Sequence, residues 1–116
     1  MEEPKFLALG TAGGAPEEGV PPAERILSGN PKFRTWNIEE REGGLYAGIW
    51  ESTPGKWRIE YDEWEFCHIL SGVSVIAEDG GEARTVRAGD GFVLRPGFKG
   101  SWEVLETTRK QYVIKL

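Results

Sequence analysis

Two glycine-bounded stretches decide the fold of this chain: Glu65-Phe-Cys-His-Ile-Leu-Ser-Gly72 and, seventeen residues later, Gly89-Asp-Gly-Phe-Val-Leu-Arg-Pro-Gly97. Each combines strand-forming residues with turn residues at its ends. From Gly44 onward, similar short segments rich in Val, Ile, Trp, Tyr and Phe alternate with turn signals every eight to twelve positions. This spacing predicts an all-β sandwich or barrel.

Eight strands follow from this pattern, at residues 46–52, 56–61, 65–71, 73–77, 83–87, 91–94, 100–105 and 110–115. In a strand, successive side chains point to opposite faces. The strand at 65–71 therefore places Glu65, Cys67 and Ile69 on one face and His68 on the other. One of these faces is the interior of the barrel.

The first part of the chain has a different composition, since residues 1–42 are dense in Gly and Pro. We interpret these residues as an extended N-terminal arm and residues 43–116 as the barrel. Phe33, Trp36 and Ile38 are costly to leave in water. We therefore expect the second half of the arm to lie on the barrel or on a neighbouring subunit, and the protein to be a homodimer.

Composition excludes several classes of partner. The net charge is −5, the pI is about 5.0, and Lys and Arg are scattered, so no positive surface for nucleic acid is expected. The single cysteine, Cys67, excludes an internal disulfide and a thiolate-rich metal site, and it fits a reducing compartment. Without a targeting segment or an apolar run of about 20 residues, we expect a cytoplasmic protein that does not enter a membrane.

The spacing of the two stretches resembles the cupin family. Glu65 and Gly72 match the end of the first cupin pattern, and Gly89, Asp90 and Gly97 match the second. Over roughly residues 48–112 the sequence is similar to small single-domain cupins of the ureidoglycine aminohydrolase-like branch, which also relates to ethanolamine-utilisation cupins. The resemblance implies an RmlC-like jelly-roll barrel, that is, a double-stranded β-helix, and a homodimer.

The resemblance also implies a metal ion held by three histidines and a glutamate. Only the glutamate, Glu65, is present here. The histidine positions carry other residues: Ile59 and Tyr61, or Arg58 and Glu60 with the longer spacing, and Gly100. Because such an ion needs at least three converging ligands, we expect no bound metal and no cofactor.

Glu65 is the leading candidate for a ligand-binding residue, because a carboxylate inside a barrel requires donors or protonation. Trp57, Tyr61 and Trp102 would give the same interior a wall of rings, which suits a small planar or sugar-like metabolite. The alternative is that these rings only fill the space left by the missing metal and imidazoles.

Three further residues have two interpretations each. Cys67 shares the face of Glu65, yet lone buried cysteines usually behave as small hydrophobes. Arg95 stands where the second cupin pattern has proline and would be placed to clamp a carboxylate, or is ordinary solvated charge. His68 lies opposite Glu65 and is interpreted as a structural or interface residue rather than a catalytic one.

Three functions follow, of which we prefer a metal-free cupin that binds a small polar metabolite inside the barrel. The second is an enzyme related to ureidoglycine aminohydrolase, acting on a small nitrogenous compound either by acid–base chemistry at Glu65 and Tyr61 or with an adventitious metal. The third is a structural or interaction domain with a packed barrel. No motif names a substrate, and the sequence leaves open whether the protein is an enzyme.

Overall fold

The computed structural model describes residues 3–11 and 14–116, and it is built almost entirely of strands. Residues 1–2 and 12–13 of the predicted arm lie outside the described residues. A short 3-10 turn spans Ala23–Arg25. The strands are β1 Glu17–Gly19, β2 Ile26–Gly29, β3 Phe33–Arg41, β4 Leu45–Ser52, β5 Gly55–Glu60, β6 Trp64–Glu78, β7 Ala83–Arg87, β8 Gly91–Leu94 and β9 Lys99–Lys115.

Two long strands, β6 and β9, join the two faces of the barrel. The first half of β6 pairs with β8 and with the second half of β9, which also pairs with β4. The second half of β6 pairs with β7 and with the first half of β9, which also pairs with β5. Strands β3 and β1 extend the first face and β2 extends the second. This curled antiparallel sheet confirms the predicted all-β jelly-roll barrel.

The structure differs from the prediction where strands were expected to end. The predicted strands 65–71 and 73–77 are one strand, β6, and 100–105 and 110–115 are one strand, β9. Gly72 has a φ of +88°, and a side chain at this position would overlap the Thr107 carbonyl of β9. Glycine therefore allows β6 to bend past β9, with local shifts of register, without ending the strand.

The segment before residue 42 also contributes strands, whereas the sequence analysis placed its first strand at residue 46. Strand β3 pairs with β4 from Phe33 opposite Ser52 to Arg41 opposite Leu45. The Phe33 ring packs against Trp57 with their centroids 5.0 Å apart. Gly and Pro around β2 and β3 concealed this strand in the sequence pattern.

The space between the two faces has two different halves. One half holds buried aliphatic side chains, those of Ile69, Ile76, Val86, Leu94 and Val104. The other half holds tryptophan rings and buried polar groups. Among the described residues, no helix is long and apolar enough to cross a membrane.

Candidate functional site

The polar half of the interior opens into a cavity of about 420 Å³. Strands from both faces of the barrel contribute to its wall, together with β1 at the rim. Seven aromatic side chains line the wall: Phe33, Tyr46, Trp50, Trp57, Tyr61, Trp102 and Tyr112. Polar groups reach this cavity at its base, where Glu65 and Lys110 lie.

Glu65 points inward from β6 and is only 3% exposed. Its Oε2 lies 3.0 Å from Lys110 Nζ, and its Oε1 accepts a hydrogen bond of 2.5 Å from the Tyr61 hydroxyl. Both carboxylate oxygens therefore have a partner, which is what burial of a carboxylate requires.

Lys110 is the cation of this site, and the sequence analysis did not identify it. Its ammonium lies over the rings of Trp50 and Trp102, 4.6 and 4.4 Å from their centroids, and donates to Cys67 Sγ at 3.7 Å. Burial favours the neutral amine, but the Cys67 sulfur and the Glu65 carboxylate favour the ammonium more strongly, so the pKa of Lys110 is raised. The side chain is therefore a buried ammonium at neutral pH.

Cys67 is fully buried beside the lysine and, unlike Glu65 on the same strand, does not line the cavity. Burial raises the pKa of its thiol to about 12, an effect that Lys110 only partly offsets. At neutral pH the sulfur is a protonated thiol that accepts a weak hydrogen bond from the lysine.

The phenol groups at the cavity are hydrogen-bond donors. Burial, and then the Glu65 charge, raise the pKa of Tyr61 well above its ordinary value. The same two causes raise the pKa of Tyr112 to about 12, and its hydroxyl donates to Asn37 Oδ1 at 2.8 Å. Both phenols therefore stay protonated at neutral pH and are poor proton acceptors.

A hydrogen-bond chain fixes Trp102 in place. Its indole nitrogen donates to Ser74 Oγ at 3.1 Å, and that hydroxyl is 2.7 Å from Thr108 Oγ1. The ring stacks on Trp57 with an interplanar angle of 13° and a centroid distance of 6.5 Å. The hydrogen bond to Ser74 and the stacking on Trp57 therefore fix the orientation of the Trp102 ring in the wall.

The structure brings four predicted site residues to one cavity: Glu65, Tyr61, Trp57 and Trp102. It separates Arg95 from them. Arg95 follows the edge strand β8, is exposed, and borders a different cleft of about 680 Å³ beside Phe92 and Phe98. Arg95 therefore does not line the cavity that holds Glu65. His68 lies on the outer face, 3.1 Å from Gln111.

Strand phase is the signal that could have identified Lys110. In β9 the buried residues have even numbers, from Trp102 and Val104 to Thr108, Lys110 and Tyr112. One predicted strand ends at 105 and the next begins at 110, so the phase of Trp102 is not carried across the gap. A continuous strand would have placed Lys110 on the inner face.

The residues at the cupin metal positions do not fit a metal ion. Ile59 has no donor atom, and a side chain at Gly100 would overlap the Ala77 carbonyl. An ammonium already lies 3.0 Å from Glu65 and opposes a second cation there. Across the described residues, no three His, Cys, Asp or Glu side chains are grouped to hold an ion.

Comparison with known proteins agrees with this fold. Residues 39–112 match the family model of the EutQ-like cupin domain. The chain belongs to the EutQ-like cupin family. No curated protein matches its sequence significantly.

Solved structures of similar fold come from several bacteria. A DUF861-family protein of unknown function from Pseudomonas syringae pv. tomato has a TM-score of 0.78 and 25% identity, covering 86% of this chain. This chain spans only 43% of that protein. A Thermotoga maritima protein of the same family has 33% identity and a TM-score of 0.53, over 55% of this cupin and 73% of that chain. The Clostridium difficile EutQ protein shares the fold at 20% identity, with a TM-score of 0.66 over 84% of this chain and 73% of that one.

Proposed function

We propose that this EutQ-like cupin is a metal-free binding protein that holds a small polar metabolite in the 420 Å³ cavity. The observation that carries the proposal is the buried Lys110–Glu65 pair at the base of an aromatic wall. Burying an ion pair costs desolvation energy, and apolar side chains of similar size often stabilise a core as well or better. A barrel that only needed filling has no reason to contain this pair.

The size and lining of the cavity support the same function. Small-molecule sites are concave and largely apolar, with a few polar groups that orient the ligand, and they commonly measure about 300–1,000 Å³. Here the rings of Trp50 and Trp57 supply the apolar surface, and the polar base supplies orientation. An open cavity of this kind does not favour the third function, a packed structural domain.

The enzymatic alternative, a ureidoglycine aminohydrolase-like reaction on a small nitrogenous compound, has weaker support. General acid–base catalysis needs a group that accepts a proton near neutral pH. Raised pKa values keep Lys110 and Tyr61 protonated, and Glu65 already accepts from both of them. Because this arrangement supplies donors and a fixed charge rather than a free base, we prefer binding over catalysis.

The test is a screen of small polar metabolites by thermal shift, with tryptophan fluorescence as the second readout. A ligand at about 100 times its Kd should stabilise the protein by about 2.7 kcal/mol. Thr35, half-buried on β3, lines the cavity, so Thr35→Tyr should fill its mouth and abolish the shift. Arg34→Tyr, one residue earlier and exposed, is the matched control and should leave the shift intact.

Two outcomes would contradict the proposal. One is that no metabolite in a broad screen stabilises the protein. The other is that the Thr35→Tyr protein binds a hit as tightly as the parent, which would place the ligand outside this cavity.

We further propose that the protein is a homodimer that pairs through the outer face of β6 and β8. Phe66, Leu70 and Val93 lie on this face and are 37%, 37% and 41% exposed. Neighbouring exposed apolar side chains of this kind are typical of interaction surfaces. Light scattering should give twice the chain mass of 12.9 kDa, and Phe66→Lys should reduce it to that of one chain.

A further inference from the structure

The mouth of the cavity carries uncompensated negative charge. Three carboxylates line the cavity, from Glu17, Glu63 and Glu65, against one cation, Lys110. The buried Lys110–Glu65 pair cancels, so two charges are left, on Glu17 of the edge strand β1 and on Glu63 in the turn before β6. Within the described part of the chain, neither of these two carboxylates forms a salt bridge. The cavity therefore presents a negative rim on a protein whose net charge is −5.

The wall of the same cavity already binds an ammonium group. The Lys110 Nζ lies 4.6 Å from the Trp50 ring centroid and 4.4 Å from that of Trp102. Indole rings attract cations through the negative potential of their faces, and this attraction strengthens when water is excluded. Phe33 and Trp57 continue this wall, with their ring centroids 5.0 Å apart. In the part of the chain that the structure describes, no lysine or arginine lies over either of these two rings.

We infer that the metabolite held in this cavity is a small organic cation, such as a primary or quaternary amine. Its apolar groups lie against Phe33, Trp50 and Trp57, and its charge faces Glu17 and Glu63. This inference rests on the proposed binding function. An anionic metabolite has little support here, because its only possible counter-ion, Lys110, is 5% exposed and already paired.

The first experiment compares choline with 3,3-dimethyl-1-butanol, which has nearly the same shape without the charge. Tryptophan fluorescence and the indole N–H signals in NMR report on the cavity directly, because Trp50, Trp57 and Trp102 line it. We expect choline to bind roughly tenfold more tightly at low salt, since cation–π attraction and the rim charges act only on the cation. The advantage should shrink as salt screens the rim.

The second experiment removes the rim charges. The double variant Glu17→Gln and Glu63→Gln should lower choline affinity several-fold and leave the affinity for the neutral alcohol unchanged. Glu18→Gln is the matched control, because Glu18 is the exposed neighbour of Glu17, does not line the cavity, and pairs with Arg34 at 4.0 Å. Choline affinity in this control should equal that of the parent.

The outcomes separate the inference from the function on which it rests. If the neutral alcohol binds as tightly as choline, or an anion such as acetate binds better, the ligand is not a cation, and binding in the cavity stands. The same conclusion follows if choline has no effect while a neutral or anionic metabolite binds and Thr35→Tyr blocks it. If no compound of any charge perturbs the cavity tryptophans, both the inference and the proposed function fail.

Discussion

Two ion pairs in this protein differ in location, and the difference decides how strongly each charge depends on its partner. Arg58 and Asp79 form a bidentate pair at the surface, with distances of 2.6 and 2.7 Å. Lys110 and Glu65 form a single contact of 3.0 Å inside the barrel. The surface pair has the shorter bonds, but water and salt screen it, and exposed pairs contribute little to stability.

For the buried pair, the contact between the two charges matters more, because no water replaces a lost partner. Each of its charges has lost its water and depends on the other, so removing one partner leaves an uncompensated charge in the interior. The arrangement is costly to build and sensitive to change. Burial, rather than the length of a contact, therefore makes the Lys110–Glu65 pair the one whose loss the fold tolerates least.

The largest expected effect comes from breaking the buried pair on one side. Lys110→Met keeps the length of the side chain but leaves Glu65 without its cation, and it should cost about 3–5 kcal/mol of unfolding free energy. Urea denaturation at an unchanged m-value measures the loss. The double variant Glu65→Gln with Lys110→Met should recover most of it. If Lys110→Met alone lowers the unfolding free energy by less than about 1 kcal/mol, the stability of the fold does not depend on this ion pair.

Removing the ring above the buried ammonium should have an effect of similar size or slightly less. Trp102 is 1% exposed, so Trp102→Ala leaves a large cavity and should cost about 3–5 kcal/mol. The substitution also removes the indole N–H that donates to Ser74 Oγ and one of the two indole rings that the Lys110 ammonium contacts. Trp36→Ala, on the half-buried outer face, is the control and should cost clearly less. Equal losses would show that the cavity wall is not part of the core.

Alkaline pH should weaken the buried site more than the surface pair. The folded state raises the pKa of Cys67 to about 12 from an ordinary value of 9.0. Between these values the unfolded chain loses the proton first, so unfolding free energy falls as pH rises, by at most about 1.4 kcal/mol per pH unit. Cys67→Ser removes the thiol and, with it, this contribution to the fall of unfolding free energy with pH.

The measurement for this prediction is urea denaturation of both proteins from pH 8 to pH 11. Lys110, Tyr61 and Tyr112, whose pKa values are also raised, contribute a decline in both proteins. Because the Cys67 sulfur helps to raise the pKa of Lys110, the difference between the slopes reports Cys67 together with its effect on Lys110. The decline should be shallower in Cys67→Ser than in the parent. Parallel slopes would contradict the buried position of the thiol.

The smallest effect should follow from breaking the surface pair. Asp79→Asn removes the partner of Arg58, and because both groups are solvated, the unfolding free energy should change by less than chemical denaturation resolves in moderate salt. Differential scanning calorimetry at low and at high salt checks this expectation. A loss that approaches that of Lys110→Met would remove the contrast between the two pairs.

Much of the interior could be predicted from the sequence because strand alternation is local. The phase of 65–71 placed Glu65 inward, and the turn residues located the barrel from about residue 44. The expectation that Phe33 lies on the barrel agrees with its contact with Trp57, but strand β3 itself was missed because nearby Gly and Pro concealed it. Nothing in the sequence indicated that Arg95 follows an edge strand and borders a different cleft. Both features depend on which strands become neighbours, and the local pattern carries no information on that.

The sequence by itself determined the fold class and the loss of the cupin metal ligands, because side-chain alternation, turn glycines and missing histidines are all local properties. Only the tertiary structure decided that Lys110 meets Glu65. Their contact depends on the pairing of β6 with β9, in which Cys67 lies opposite Tyr112 and Ile69 opposite Lys110. A slip of one residue in this register would turn the lysine to the outer face. Long-range pairing, stabilised by burial of the whole inner face, therefore places the ammonium beside the carboxylate.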